Sequence, residues 1–226
     1  MPTARTSRRA TLSLAAVLAL VAVMPAALLA QVVDADGLVR REIRGLDSVA
    51  ERPGVTWRNY DKVVVSDVQV AFSDTWDPRA YGRFGLEPQA VTKIRNDLGG
   101  LAHDAFAEAL TGGGYAVVST GGAGVLQVVP KIVDLYVNAP PRTEINPLHT
   151  YVLESGEMTL VLELRDSVTG TLLARVRDRY RDPGVGVFVP SNEVTRYAEN
   201  RRVLRGWAER LRTMLTEARD QARDQP

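Results

Sequence analysis

The sequence predicts an α+β domain, with an antiparallel-rich sheet of four to five strands and two amphipathic helices packed on one of its faces. Three observations lead there. Runs of alternating side chains at 62–72, 125–137 and 156–181 have the period of strands. Residues 88–110 and 192–215 bring their apolar side chains round at three- and four-residue steps. The order along the chain is strand, helix, three or four strands, helix, which suits helices laid on an antiparallel sheet.

The first strand is Lys62–Phe72, with Val64, Val68, Val70 and Phe72 on one face and Val63, Val65, Asp67 and Gln69 on the other. The first helix starts at Pro88, whose missing N–H costs nothing in a first turn. Its stripe is Val91, Ile94, Leu98, Leu101, Ala105, Phe106, Ala109 and Leu110. Gly99-Gly100 interrupts the stripe at roughly 1–2 kcal/mol against alanine, which calls for close packing or a bend. Gly112-Gly113-Gly114 ends the helix.

Tyr115–Ser119 is a short strand, and Gly121-Gly122-Ala123-Gly124 is a tight connection. Val125–Val137 is a long strand in which Pro130, unable to donate to a ladder, implies an edge or a bulge. Residues 139–150 form a loop containing Pro140, Pro141 and Pro147. The clearest local signal is a hairpin over Gly156–Arg181. Val168-Thr169-Gly170 fits a three-residue loop with glycine in the left-handed position. That loop sets Leu164 against Ala174, Leu162 against Val176, Glu163 against Arg175 and Glu157 against Arg181. Apolar pairs on one face and opposite charges on the other support the register independently. Ser191 or Asn192 caps the last helix, whose stripe is Val194, Tyr197, Ala198, Leu204, Trp207, Ala208, Leu211 and Leu215.

Residues 1–30 read as a secretory signal peptide. Arg5, Arg8 and Arg9 precede the apolar run Ala10–Met24, Pro25 ends it, and Ala26, Ala27 and Ala30 supply small residues at the cut. The run falls short of the roughly 20 residues of a bilayer-spanning helix. Cleavage after Ala30 by the general export route is expected, giving a periplasmic or secreted protein; an uncleaved N-terminal membrane anchor is the alternative. The remaining division is an irregular or weakly helical lead-in at 31–59, a single α+β domain at 60–220 and a disordered tail at 221–226.

The chain has no cysteine, which excludes disulfides, thiolate metal sites and a lipid-bearing cysteine. The formal charge is +1, with 28 basic and 27 acidic residues. Removing the three signal arginines leaves 25 basic against 27 acidic, so no nucleic-acid partner is indicated.

Three segments are shared with a known group. They are Tyr60-Asp61-Lys62-Val63-Val64-Val65, the hairpin stretch Asp166-Ser167-Val168-Thr169-Gly170-Thr171-Leu172-Leu173-Ala174, and Trp207-Ala208-Glu209-Arg210-Leu211. Together they resemble the bacterial family of unknown function numbered 3313, over roughly residues 35–218. The resemblance implies an envelope protein of a group rich in lipoprotein-like members. This chain departs in lacking the lipid-bearing cysteine, so no lipid anchor is expected. The family brings no catalytic residues to carry over.

No catalytic, cofactor or metal site is expected from the residues themselves. Arg175, Arg177, Arg179 and Arg181 alternate along one strand face. They form a candidate surface for an anion or an acidic partner; the plainer reading is a solvated face balanced by Glu157 and Glu163. Trp76, Tyr81 and Phe84 form either an aromatic contact loop or a small core over the sheet edge. Gly121–Gly124 joins two strands and lacks the lysine of a phosphate loop, so it reads as a turn. Asp67, Asp74 and Asp77 do not match a calcium loop and read as turn-forming carboxylates. His103 and His149 are too few for a zinc site, and no serine sits in a Gly-x-Ser-x-Gly elbow.

The function expected is a non-catalytic exported envelope protein that binds or scaffolds another envelope protein or an anionic envelope component. The alternative is a hydrolase of an envelope polymer or lipid using dispersed carboxylates, with Glu157, Glu163 and Asp178 the first candidates. A third reading is self-association through a sheet edge near Pro130.

Overall fold

The sheet is built outward from a long hairpin. The computed structural model describes residues 33–80, 85–138, 154–181 and 193–221. Strands β7 (Glu154–Asp166) and β8 (Leu172–Arg181) pair antiparallel in the expected register. Glu157 lies opposite Arg181, Leu162 opposite Val176, Glu163 opposite Arg175 and Leu164 opposite Ala174. Gly170 closes the turn at φ +70°. The Asp166 carboxylate accepts the backbone N–H groups of Val168 (3.1 Å) and Thr169 (2.8 Å).

Six further strands extend this hairpin: β1 (Val39–Arg41), β2 (Ser48–Glu51), β3 (Lys62–Val65), β4 (Gln69–Phe72), β5 (Ala116–Val117) and β6 (Val125–Asn138). The order is β1-β2-β8-β7-β6-β3-β5, with β4 also paired to β6. The α+β class holds, but the sheet has eight strands and is mixed, where four to five mainly antiparallel ones were expected. The cause is the helix α1 (Pro88–Gly112), which lies between β4 and β5–β6 in the chain. A helical crossover returns the chain in its original direction, so β3 and β4 run parallel to β6.

The strand expected at Lys62–Phe72 is broken at Ser66–Val68 into β3 and β4. The break changes the phase of burial. Val63 and Val65 face the core before it, and Val70 faces the core after it. A single alternation across 62–72 therefore assigned the first half to the wrong face.

Pro130 is neither at an edge nor at a bulge. It lies inside β6, opposite Leu162 of β7. The Val128 carbonyl accepts the Ser66 N–H at 2.9 Å. Alternate residues of a strand point the same way, so the Pro130 nitrogen faces the same side. There β3 has ended and β4 has not begun, and no N–H is required. Because β6 is flanked on both sides, self-association through an edge near Pro130 is closed off. The irregularity of β6 falls instead at Asp134, in the left-handed region at φ +54°, where the register to β7 shifts. After this bulge Leu135 is fully buried and Tyr136 is exposed.

Residues 31–59, expected to be irregular or weakly helical, supply β1, β2 and a short 3₁₀ turn at Trp57–Asn59. Strand β2 pairs with β8, Val49 opposite Val176. Arg52 fastens this segment: its backbone N–H donates to the Leu173 carbonyl, its Nε to that of Leu172 and its Nη2 to that of Asp36, each at 2.7 Å.

Both helices share one apolar core with the inner face of the sheet. Helix α1 contributes Ile94, Leu98, Leu101, Phe106 and Leu110, and α2 (Glu193–Gln221) contributes Leu204, Trp207, Leu211 and Leu215. They meet Val63, Val128, Ile132, Met158, Leu160, Leu162 and Val176. Gly99 has the structural reason that the sequence called for. A Cβ there would lie 3.2 Å from the Val68 carbonyl oxygen, so glycine lets α1 approach the β3–β4 connection. Gly100 has no such neighbour within 4 Å. The proposed cap at Ser191 or Asn192 and the side chains of Val194, Tyr197 and Ala198 lie outside the described residues.

Candidate functional site

Alternation along β8 places Ala174, Val176 and Asp178 toward the helices and Arg175, Arg177, Arg179 and Arg181 on the opposite face. The four arginines sit in a charged network. Arg175 donates to Asp36 (2.8 Å) and reaches Glu163 (3.4 Å). Arg177 lies 3.5 Å from Asp134, the residue that the β6 bulge turns out. Glu157 bridges Arg179 and Arg181. Glu163, which is largely buried, also accepts Arg165 Nη2 at 2.8 Å and lies 4.0 Å from Lys131. Burial alone would raise its pKa. The Arg165 hydrogen bond and the charges of Lys131, Arg165 and Arg175 outweigh that and hold its carboxyl below the usual carboxylate range.

This network contains six cationic groups (Lys131, Arg165 and the four arginines of β8) and four carboxylates (Asp36, Asp134, Glu157 and Glu163). It therefore carries an excess of two positive charges. The exposure is uneven. The side chains of Arg177, Arg179 and Arg181 are 58%, 50% and 66% exposed, against 32% for Arg175. Arg175 is a structural tie between β8, β7 and the N-terminal segment. The other three line the end of the face that solvent reaches. Thr159, on the same face, is 1% exposed, and its hydroxyl has no hydrogen-bond partner.

Asp178 lies on the other side of the sheet. Its Oδ2 accepts the Trp207 indole N–H at 2.7 Å and Arg210 Nη1 at 3.1 Å, and its Oδ1 accepts the Asp47 backbone N–H at 3.1 Å. Burial, opposed by these partners, raises its pKa above the ordinary range. Asp178 thus fastens α2 to β8. It cannot share a substrate with Glu157 and Glu163, which face away from the helices. The dispersed carboxylate set considered for a hydrolase does not assemble.

A family profile described as "Protein of unknown function (DUF3313)" matches residues 35–211. The chain belongs to this family. A comparison with curated proteins gives no match. Among solved structures, the chain is similar to PelC from Paraburkholderia phytofirmans, a dodecamer, at 14% identity and a TM-score of 0.38, covering 73% of this chain and 96% of that one. It is also similar to a Xanthomonas campestris protein, XCC0632, at 13% identity and a TM-score of 0.40, covering 76% and 93%. A minor lipoprotein from Acinetobacter baumannii aligns at 11% identity and a TM-score of 0.31, covering 71% and 95%.

The remaining sequence candidates fall into place individually. Trp76 is buried, stacks on Phe72 at 4.0 Å between ring centroids and donates to the Val137 carbonyl at 3.2 Å. It is part of the apolar core shared with the helices; Tyr81 and Phe84 lie outside the described residues. The Gly122 N–H donates to Ser167 Oγ, and that hydroxyl donates back to the Gly122 carbonyl, both at 3.0 Å, so the glycine-rich stretch is a pinned turn. Asp77 accepts the Arg79 N–H at 2.9 Å as a turn former. His103 Nδ1 lies 3.5 Å from Asp104, and His149 lies outside the described residues. Among the described residues, no cluster of three or more metal-ligating side chains forms and no helix is long and apolar enough to cross a membrane. Sequence reasoning missed Asp36, Asp134, Lys131 and Arg165 as members of the charged network. Only Arg165 was signalled, by its place in the β7 alternation.

Proposed function

We propose that the chain is a non-catalytic exported envelope protein that binds or scaffolds an anionic envelope component through the outer face of its sheet. The observation that carries this reading is the row of three arginines along β8 whose side chains are at least half exposed and which, among the described residues, share only two side-chain ion-pair partners, Asp134 and Glu157. Exposed ion pairs contribute only about 0–1 kcal/mol each, so incoming phosphates or carboxylates exchange for the internal carboxylates at little cost. Guanidinium groups also bind such anions in a two-pronged geometry that lysine lacks. The signal-like residues 1–30 support export, and the scattered carboxylates favour recognition over bond-making.

The test is co-sedimentation of the mature chain with vesicles of phosphatidylglycerol and phosphatidylcholine, against vesicles of phosphatidylcholine alone, at low and high salt. Binding to the anionic vesicles alone is expected. It should fall as salt rises and weaken in the triple variant Arg177→Gln, Arg179→Gln, Arg181→Gln. Equal binding to both vesicles, or a triple variant that binds like wild type, refutes the reading.

A further inference from the structure

The sheet leaves one edge beside a helix without a strand. Strand β5 covers β3, pairing with Lys62 and Val63. Strand β4 pairs only with β6 among the described residues, so the opposite edge of Gln69–Phe72 has no strand on it. Against that edge lies an open groove of about 760 Å³, bounded by Asp67, Gln69 and Val70 on the strand side and by Arg95, Gly100 and His103 on α1.

Three features of the groove suit an extended peptide. An unpaired edge presents a row of backbone donors and acceptors, which is what an added strand needs. Gly100 keeps the helix wall low, with no atom within 4 Å of where its Cβ would stand, whereas Gly99 beside it is in contact with Val68. The second glycine therefore leaves room above the helix surface without serving the packing. Arg95 supplies the charge. Its guanidinium rests over the Phe72 ring at 5.7 Å and, among the described residues, makes no ion pair, although Asp67 lines the same groove; the arginines of β8 each have a carboxylate.

We propose that this groove binds a short extended peptide segment of a partner protein, which adds a strand to the free edge of β4 and places an acidic side chain on Arg95. The groove runs along residues 67–70, the end of the β3–β4 connection and the first half of β4, so the bound segment spans about four residues at roughly 3.3 Å each. The site lies on the helix side of the sheet. It goes beyond the charged-face reading and does not depend on it.

The test uses the mature chain and a phage-displayed library of random heptapeptides, panned in parallel on wild type, Gly100→Leu and Arg95→Glu. Each variant is first checked by circular dichroism. Enrichment on wild type of peptides with an acidic residue among β-branched ones is expected. Resynthesised peptides should shift the backbone amide signals of residues 67–70 and of residues 95–103. Gly100→Leu should weaken them by about tenfold or more, because its side chain fills the groove. Arg95→Glu should reverse the acidic preference, and it decides the matter if Gly100→Leu fails to fold. Several results overturn the proposal: no enrichment over the variants, amide shifts confined to other surfaces, or a wild-type homodimer in light scattering that Gly100→Leu dissociates, since the occupant would then be a second copy.

Discussion

Replacing Gly99 and Gly100 by alanine, one at a time, is expected to have different effects on stability, a gain at Gly100 and none or a loss at Gly99, although the residues are neighbours on one helix. In a helix interior, glycine to alanine contributes about 0.8–1 kcal/mol. At Gly100 the new methyl meets nothing within 4 Å, so the full gain of about 1 kcal/mol is expected, roughly 2–4 °C in Tm for a domain of this size. At Gly99 the methyl would stand 3.2 Å from the Val68 carbonyl oxygen and 3.8 Å from a Val70 methyl. A backbone oxygen cannot rotate away as a side chain does, and forcing such contacts costs about 1–3 kcal/mol. The propensity gain offsets about 1 kcal/mol of that, which leaves Gly99→Ala between neutral and about 2 kcal/mol less stable than wild type. The two variants should differ by about 1–3 kcal/mol. Urea unfolding followed by the fluorescence of Trp57, Trp76 and Trp207, all buried, measures the difference. If Gly99→Ala proves as stable as Gly100→Ala, α1 does not rest on the β3–β4 connection, and the account of the helix–sheet contact fails.

Three further outcomes follow from the buried carboxylates. Asp178→Ala removes the acceptor for the buried Trp207 indole and for the Asp47 N–H, and should cost about 2–3 kcal/mol in thermal unfolding. The pH profile separates the roles of the carboxylates. The Asp178 pKa is raised, so the folded state takes up that proton before the unfolded chain, and this group adds stability as pH falls from its raised value toward the ordinary carboxylate range. Glu163 has the opposite sign: its stabilisation is present above the ordinary range and is lost as pH falls through its lowered value. Asp178→Asn should therefore lose stability more steeply on acidification than wild type. Glu163→Gln should cost about 1–2 kcal/mol at neutral pH and flatten the acid side of the profile; a variant whose acid limb matches that of wild type would show that the Lys131, Arg165 and Arg175 charges do not converge on Glu163.

The parts of the fold written in local pattern were legible. The β7–β8 register followed from a three-residue turn and charge pairing, and the helix bounds at Pro88 and Gly112 followed from proline and glycine chemistry. What failed was whatever depended on partners far away in the chain. Strands β1 and β2 have three and four residues, too short to show a period, and are strands only because β8 offers an edge. The break at Ser66–Val68 has apolar residues on both sides, so the change of face is invisible without the neighbours. Pro130 was misplaced because its tolerance comes from a gap between two other strands. The side to which Asp178 points was readable: it shares parity with Ala174 and Val176, which places it under α2. Grouping it with Glu157 and Glu163 put charge type before geometry. The charged network was only half visible, since Asp36 and Asp134 reach it through a loop and a bulge that carry no periodic signal.

The pairing of β2 with β8 sets an order of events during synthesis. Ser48 lies opposite Arg177, so the two partners are 129 positions apart. Chains emerge from the ribosome N-terminus first. Ser48–Glu51 can pair at once with the neighbouring β1, but the β1–β2 pair must wait for β8 until residue 177 has been made. The β1–β2 pair covers the rim of β8 once β8 is there to receive it. Truncation upstream of Arg52 would leave β8 bare and prone to pair with another molecule.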